Sequence, residues 1–203
     1  MSSTESEETK SEKKEDEKKE DEKRLEKFMG KKERRRSSLN KPLQGDYMGA
    51  KTNNKILSII GKHEEKEVLF ADSVIKINRK CKRQERILLL TEKALYNIDP
   101  VSIKSKRRIG LLDISCVKMS GLQDNFFVIC VPTEYDYLFV SSKKIEICLQ
   151  LRRQYQFVHH GQVLPIEFKN TLEYKVDSGS FRDIKFTSEE DGVSTQIFEK
   201  KKS

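Results

Sequence analysis

The residues best suited to chemistry lie in one short basic stretch, and the chemistry they suit is anion capture. Between residues 78 and 86 stand Arg79, Lys80, Lys82, Arg83 and Arg86 against a single acid, Glu85, with Lys76 just upstream. The aliphatic runs on either side, Val74-Ile75 with Ile77 and then residues 87–90, read as strands, and the polar segment between them reads as an exposed loop. Five cations on one loop cannot neutralise one another, so they wait for a negatively charged partner. Bond-making chemistry has no comparable candidate. There is no Gly-rich phosphate loop, GxSxG elbow or HExxH pair, so no catalytic residue and no enzyme activity is assigned. Cys81, Cys116, Cys130 and Cys148 are widely spaced without a CxxC pair, which suggests reduced thiols rather than zinc ligands or a disulfide framework. Cys116, Cys130 and Cys148 read as core fillers. His159 and His160 are adjacent, and neighbouring helical positions point about 100° apart, so they do not form a metal site. No metal and no cofactor is expected.

Charge around the loop narrows the choice of anion. From Lys76 to Arg108 there are eleven basic residues and three acids, a net of +8 that equals the charge of the whole protein. At about 1 kcal/mol per cation near an anionic leaflet, half of that charge facing a membrane would contribute ~4 kcal/mol. That is an affinity gain of roughly a thousandfold, suited to reversible recruitment. Nucleic acid is the alternative anion. It is disfavoured because the loop has no interleaved aromatics for base stacking, and no recognition helix or zinc module is evident. A third reading is a protein-interaction module.

The elements that must position this loop come from the rest of the 203-residue chain. Hydrophobic residues make up 35% of it and charged residues 36%, and the apolar deficit is concentrated in residues 1–40. Residues 5–22 hold ten acids and five lysines, and residues 23–36 reverse the sign with eight bases and two acids. This extension reads as disordered or as a solvated helix. Within it, Leu25, Phe28 and Met29 form a short apolar patch, and Arg34-Arg35-Arg36-Ser37-Ser38 fits a basophilic kinase site. Residues 41–203 are the expected folded domain. A short helix capped at Asn53 or Asn54 and ending at Ile60 should turn Leu57 and Ile60 to the core. Strands are expected over 68–70, 74–78, 85–91, 94–98, 105–111, 114–119, 126–131 and 135–140. A helix over 143–159 follows, with Ile145, Ile147, Cys148, Leu149, Leu151, Tyr155 and Val158 facing the sheet. Further strands are expected over 164–168, 172–176, 183–187 and 193–198. No apolar run reaches the roughly 18 residues of a spanning helix, and the N-terminus lacks the order of a secretory signal.

Several blocks then carry a resemblance: Gly45-Asp46-Tyr47, Leu69-Phe70-Ala71-Asp72, Lys76-Ile77-Asn78-Arg79-Lys80 and Leu88-Leu89-Leu90-Thr91. Ala94-Leu95-Tyr96, Leu164-Pro165-Ile166-Glu167-Phe168 and Ile184-Lys185-Phe186 continue it. In this order they resemble the tail homology domain of class I myosins, from about Arg34 onward. The resemblance implies an α+β, mainly β, pleckstrin-homology-like fold: a bent antiparallel sheet, a C-terminal capping helix and additional strands. It also implies binding of anionic membrane lipids, phosphoinositides and phosphatidylserine among them, with cytoskeletal proteins as further partners. The lipid-contacting positions of the family fall on Lys76 and Arg86. Gln84 stands where the wider pleckstrin-homology signature has a second base, and Arg83 is one place away. The expected lipid-binding set is therefore Lys76, Arg79, Lys80, Lys82, Arg83 and Arg86. The expectation is a monomeric, cytoplasmic module, peripheral at the inner face of membranes and standing without a motor. It could compete with full-length class I myosins.

Overall fold

Alternating and continuous aliphatic stretches make this chain mostly strand, and the pairing follows from which faces are apolar. The computed structural model describes residues 44–199 and the backbone of Phe28–Gly30 (β1). Phe28 and Met29 of the short apolar patch fall in β1, whose backbone pairs with Thr195 and Ser194, while Leu25, the kinase motif and the rest of the charged extension lie outside the described residues. A helix α1 (Asn54–Gly61) precedes a seven-strand run: β2 (Val68–Ile77), β3 (Arg83–Thr91), β4 (Ala94–Asp99), β5 (Lys104–Gly110), β6 (Cys116–Met119), β7 (Phe126–Cys130) and β8 (Tyr137–Val140). Then come helix α2 (Lys144–Val158), β9 (Ile166–Phe168), β10 (Thr171–Asp177), β11 (Ser180–Glu189) and β12 (Gly192–Glu199).

The first sheet has the order β5-β4-β3-β2-β8-β7-β6-β9, and the second β1-β12-β11-β10. Two meanders, β2–β5 and β6–β8, are joined where Ile75, Lys76 and Ile77 pair with Val140, Phe139 and Leu138. All these pairings are antiparallel except β6 with β9, which is parallel. The inner core holds Phe70, Val74, Leu88 and Leu90 from one meander and Val117, Phe127, Ile129 and Phe139 from the other. Ile147, Cys148, Leu151 and Tyr155 of α2 fill its end. The outer face is covered in two places: α1 packs on Ala71, Ile87, Leu89 and Tyr96, and the second sheet packs on Ile77, Val128 and Leu138. This is the bent, helix-closed antiparallel sheet with added strands that the resemblance implies.

Several expected elements differ in detail. The two strands expected over 68–70 and 74–78 are one, β2, ending at Ile77, and Asp72 within it is buried and satisfied by Lys143 Nζ at 2.6 Å. Asn53, not Asn54, caps α1, its Oδ1 accepting from the N–H groups of Lys55 and Ile56. Ile56 and Ile60 form the buried pair of that helix, and Leu57 is only partly packed. In α2, Ile145 and Leu149 are 55% and 49% exposed, so its core stripe is narrower than the spacing suggested. The Gly45-Asp46-Tyr47 block is a structural clasp. Gly45 has φ +73 and a Cβ there would lie 2.6 Å from the Leu69 carbonyl oxygen. Its N–H donates to Glu146 of α2 at 3.1 Å, and the Tyr47 hydroxyl donates to the same carboxylate at 2.7 Å.

A second buried carboxylate ties the outer face together. Glu65 accepts from Arg108 through Oε1, at 2.7 Å to Nη2 and 2.9 Å to Nε, and from the Thr91 hydroxyl through Oε2. Arg108 Nε also reaches the buried Tyr96 hydroxyl at 3.2 Å. Glu65→Ala should therefore lower unfolding free energy by about 3 kcal/mol in urea titration, the low end for a broken buried pair. The low end applies because the Arg108 side chain keeps 31% of its surface in water. Burial, reinforced by Glu65, pushes Tyr96 up from 10.0 to about 12. A raised pKa on a group buried neutral means stability is intact below about pH 10 and falls as pH climbs through about 12. The urea midpoint should decline across that window, and Tyr96→Phe should blunt the decline.

Candidate lipid-binding site

Strand direction decides which turns meet. β2, β4 and β7 run the same way, so the turns after them, residues 78–82, 100–103 and 131–136, share one end of the sheet. Helix α2 packs towards the other end, where Gln154 Nε2 donates to the Glu92 carbonyl at 2.8 Å in the β3–β4 turn. The core is thus plugged at one end and opens at the other.

The basic loop is shorter than its composition suggested. It comprises residues 78–82, because β3 starts at Arg83 and Ile77 pairs with Arg83. Asn78 organises it: its Oδ1 accepts from the N–H groups of Lys80 and Lys82 at 2.8 and 3.0 Å, and Cys81 turns the chain with φ 54. Arg79, Lys80 and Lys82 are exposed on this turn. Arg79 meets Asp177 at 3.3 Å, but with side chains 69% and 59% exposed that pair is strongly screened. Among the described residues, the side chains of Lys80 and Lys82 have no acidic partner. Arg182 donates to the Arg79 carbonyl and holds the turn against the second sheet.

Register separates the remaining cations by face. Lys76 pairs with Gln84 and Val74 with Arg86, so Lys76, Gln84 and Arg86 lie on the inner-core face. Arg86 is the diagonal neighbour of Lys76, roughly 7–8 Å away and within reach of long side chains. Ile77 pairs with Arg83 and Ile75 with Glu85, so Arg83 lies on the outer face, away from Lys76. There it lines a cavity with Phe126, Val193 and Thr195.

Lys76 rests on an aromatic floor. Its Nζ lies 4.9 Å from the Tyr137 ring centroid and 5.1 Å from that of Tyr135, and donates to the Tyr135 hydroxyl at 3.3 Å. The buried Tyr137 hydroxyl donates to Glu134 at 2.9 Å, and Arg107 of β5 meets the same carboxylate oxygen at 2.6 Å. Burial, then the bonds to Tyr135 and Glu134, push the Tyr137 phenol far up, so it stays a neutral donor. The bond to Glu134 raises Arg107 further, so it remains cationic. Beside Lys76 a cleft of about 350 Å³ is walled by Asn78, Arg79, Lys80, Tyr135, Tyr174 and Asp177. Cations, backbone turns and phenols around a concave mouth suit a phosphorylated headgroup.

Sequence reasoning missed Arg107, Tyr135, Tyr137 and Glu134 as parts of this mouth. The Lys106-Arg107-Arg108 run gave a count but no direction. In the structure Lys106 leans to Asp99 at 3.9 Å, Arg107 enters the mouth, and Arg108 turns outward to Glu65. Arg107 and Arg108 take opposite faces by ordinary strand alternation, and a bulge between Asn97 and Ile98 in the β4–β5 pairing takes Lys106 out of that alternation.

Residues 34–203 match the family described as unconventional myosin tail, actin- and lipid-binding. The myosin IB heavy chain of Dictyostelium discoideum is 33% identical over 171 residues, covering 80% of this chain and 15% of the heavy chain. The myosin heavy chain IB of Acanthamoeba castellanii is 31% identical over 182 residues, 86% of this chain and 16% of its own length. Unconventional myosin-Ia of Mus musculus is 36% identical over 140 residues, 66% and 13% respectively. The chain thus spans about a sixth or less of these relatives. With residues 34–203 matched by the family and relatives above 30% identity over most of the chain, the chain belongs to the tail homology family of class I unconventional myosins.

Proposed function

We propose that the open end of the sheet is a membrane-contacting surface that binds phosphoinositide headgroups through Lys76 and Arg86 and gathers other anionic lipids through the turns around them. The observation that carries this reading is Lys76, held on the Tyr135–Tyr137 floor on the same face as Arg86. Arg107 would serve where Gln84 has replaced a base. Arg79, Lys80 and Lys82 would supply general attraction to phosphatidylserine, and Val101, 93% exposed at the tip of the 100–103 turn, would enter the apolar boundary of the leaflet. Arg83 would take no part in the headgroup contact and would add only charge from the outer face. Such a module works peripherally at an anionic cytoplasmic leaflet and can link it to the cytoskeleton. Nothing in the mouth is arranged to cut or transfer a bond, and binding is its proposed role.

Lys76→Ala with Arg86→Ala should weaken co-sedimentation with phosphoinositide-containing vesicles at least about tenfold, since each charge-assisted bond is worth roughly 1.5–3 kcal/mol. The residual binding should fall steeply with salt. Arg152→Ala with Arg153→Ala removes equal charge from exposed positions of α2 and should cost far less. Equal losses would mean diffuse electrostatics without a headgroup site, and no loss from the first pair would remove this face from membrane contact. An oligonucleotide bound more tightly than any vesicle would favour nucleic acid instead.

Glu134 opposes its neighbours in this mouth, offsetting Arg107. Glu134→Gln keeps an acceptor for the Tyr137 hydroxyl and removes one negative charge. Binding to anionic vesicles at low salt should rise about fivefold, the equivalent of about 1 kcal/mol per charge. Unchanged or weaker binding would place the membrane away from this turn.

A further inference from the structure

We propose that Cys116 and Cys130 form a reactive cross-strand dithiol that a hydroperoxide converts to an intrachain disulfide. The two cysteines sit directly opposite each other in the antiparallel β6–β7 pair. Opposed residues in such a pair have Cα atoms about 4.5–5.5 Å apart, inside the roughly 4.4–6.8 Å span that a disulfide bridges. Both side chains belong to the outer face, where Cys130 packs with Val128 and Cys116 lies against the same cluster. None of the four cysteines is in a disulfide.

Reactivity is divided between the two as a dithiol requires. Cys116 is partly exposed, so a small oxidant can reach it, while Cys130 is buried. The thiol of Cys130 donates toward Cys116 and lowers the Cys116 pKa, with Lys118 assisting, and this favours a thiolate at the accessible sulfur. The other two cysteines are poor competitors: burial pushes Cys148 up to about 12, and burial also raises Cys81.

The steps balance. The Cys116 thiolate attacks the outer oxygen of a hydroperoxide ROOH, forming a sulfenic acid and releasing RO⁻, which takes up a proton as ROH. Cys130 sulfur then attacks the sulfenic sulfur. The S–S bond forms, and hydroxide leaves with the Cys130 proton as water. Two thiols are oxidised by two electrons, and the peroxide O–O bond is reduced. The pair lies on the face opposite Lys76, so this chemistry can succeed or fail independently of lipid binding.

The test uses the folded full-length chain treated with hydrogen peroxide and, separately, with phenylarsine oxide, which bridges two close thiols. Peroxide should consume two of the four thiols. Intact mass should fall by two hydrogens, and the cross-linked peptide should contain Cys116 and Cys130. Phenylarsine oxide should bind once per chain at the cost of the same two thiols. Cys116→Ser and Cys130→Ser should each abolish both products. A disulfide mapping to Cys81, to Cys148 or between chains would overturn the proposal. So would survival of all four thiols against both reagents in the folded wild type, an outcome that does not depend on any variant folding.

Discussion

Both faces of β2 are buried, and the rest of the molecule depends on that one strand. Phe70 and Val74 face the inner core, Val68 and Ala71 face α1, and Ile75 and Ile77 face the second sheet. Its edges are equally committed, to β3 along nine paired positions and to β8 along three. A strand shifted by one residue would exchange every one of these faces, so its register is fixed by apolar surface on both sides. Lys76 is the penultimate residue of the strand, on the inner face, and this places its cation at the open mouth rather than in solvent. The binding geometry follows from a packing constraint.

Element type was largely legible in the chain. The seven-strand run, the helix after it and the later strands all left the expected apolar signals, because burial needs aliphatic side chains at fixed spacing. Local interruption was harder to judge. Asp72 looks like a break between two short strands, yet a lysine 71 residues away satisfies it, and nothing near it in the sequence records that partner. Ile145 and Leu149 look like core and are half out of it, since helical spacing defines a stripe without saying how wide the neighbouring surface is.

The site was legible as charge and not as direction. Lys76 and Arg86 could be named from the resemblance, but which cations share their face depends on register and on one bulge. Arg83 and Gln84 are neighbours in sequence and lie on opposite faces of the sheet, so Arg83 cannot replace the base that Gln84 lacks. Arg107, proposed above for that part, comes from β5, two strands further across the sheet, and lies level with Leu88 of β3. Arg108, the next residue, is committed to holding Glu65. A net charge of +8 in this region therefore overstates the charge aimed at any one partner.

The mouth is also tempered from within. Glu134 gives one oxygen to both Arg107 and the Tyr137 hydroxyl, so in the proposed role an arriving phosphate would compete with a carboxylate already in place. Lys76 is poised differently. Its hydrogen bond is to a neutral phenol and its cation lies over two rings, contacts that orient it without neutralising it. A strongly ion-paired lysine would lose much of what it gained from a headgroup, whereas this one keeps its charge available. In the proposed role, discrimination would rest on the few side chains fixed by packing, and the exposed lysines of the turn would add attraction that salt screens. In the proposed role, a surface divided in this way would sample any anionic leaflet and stay longer where a multiply phosphorylated headgroup fits between Lys76 and Arg86.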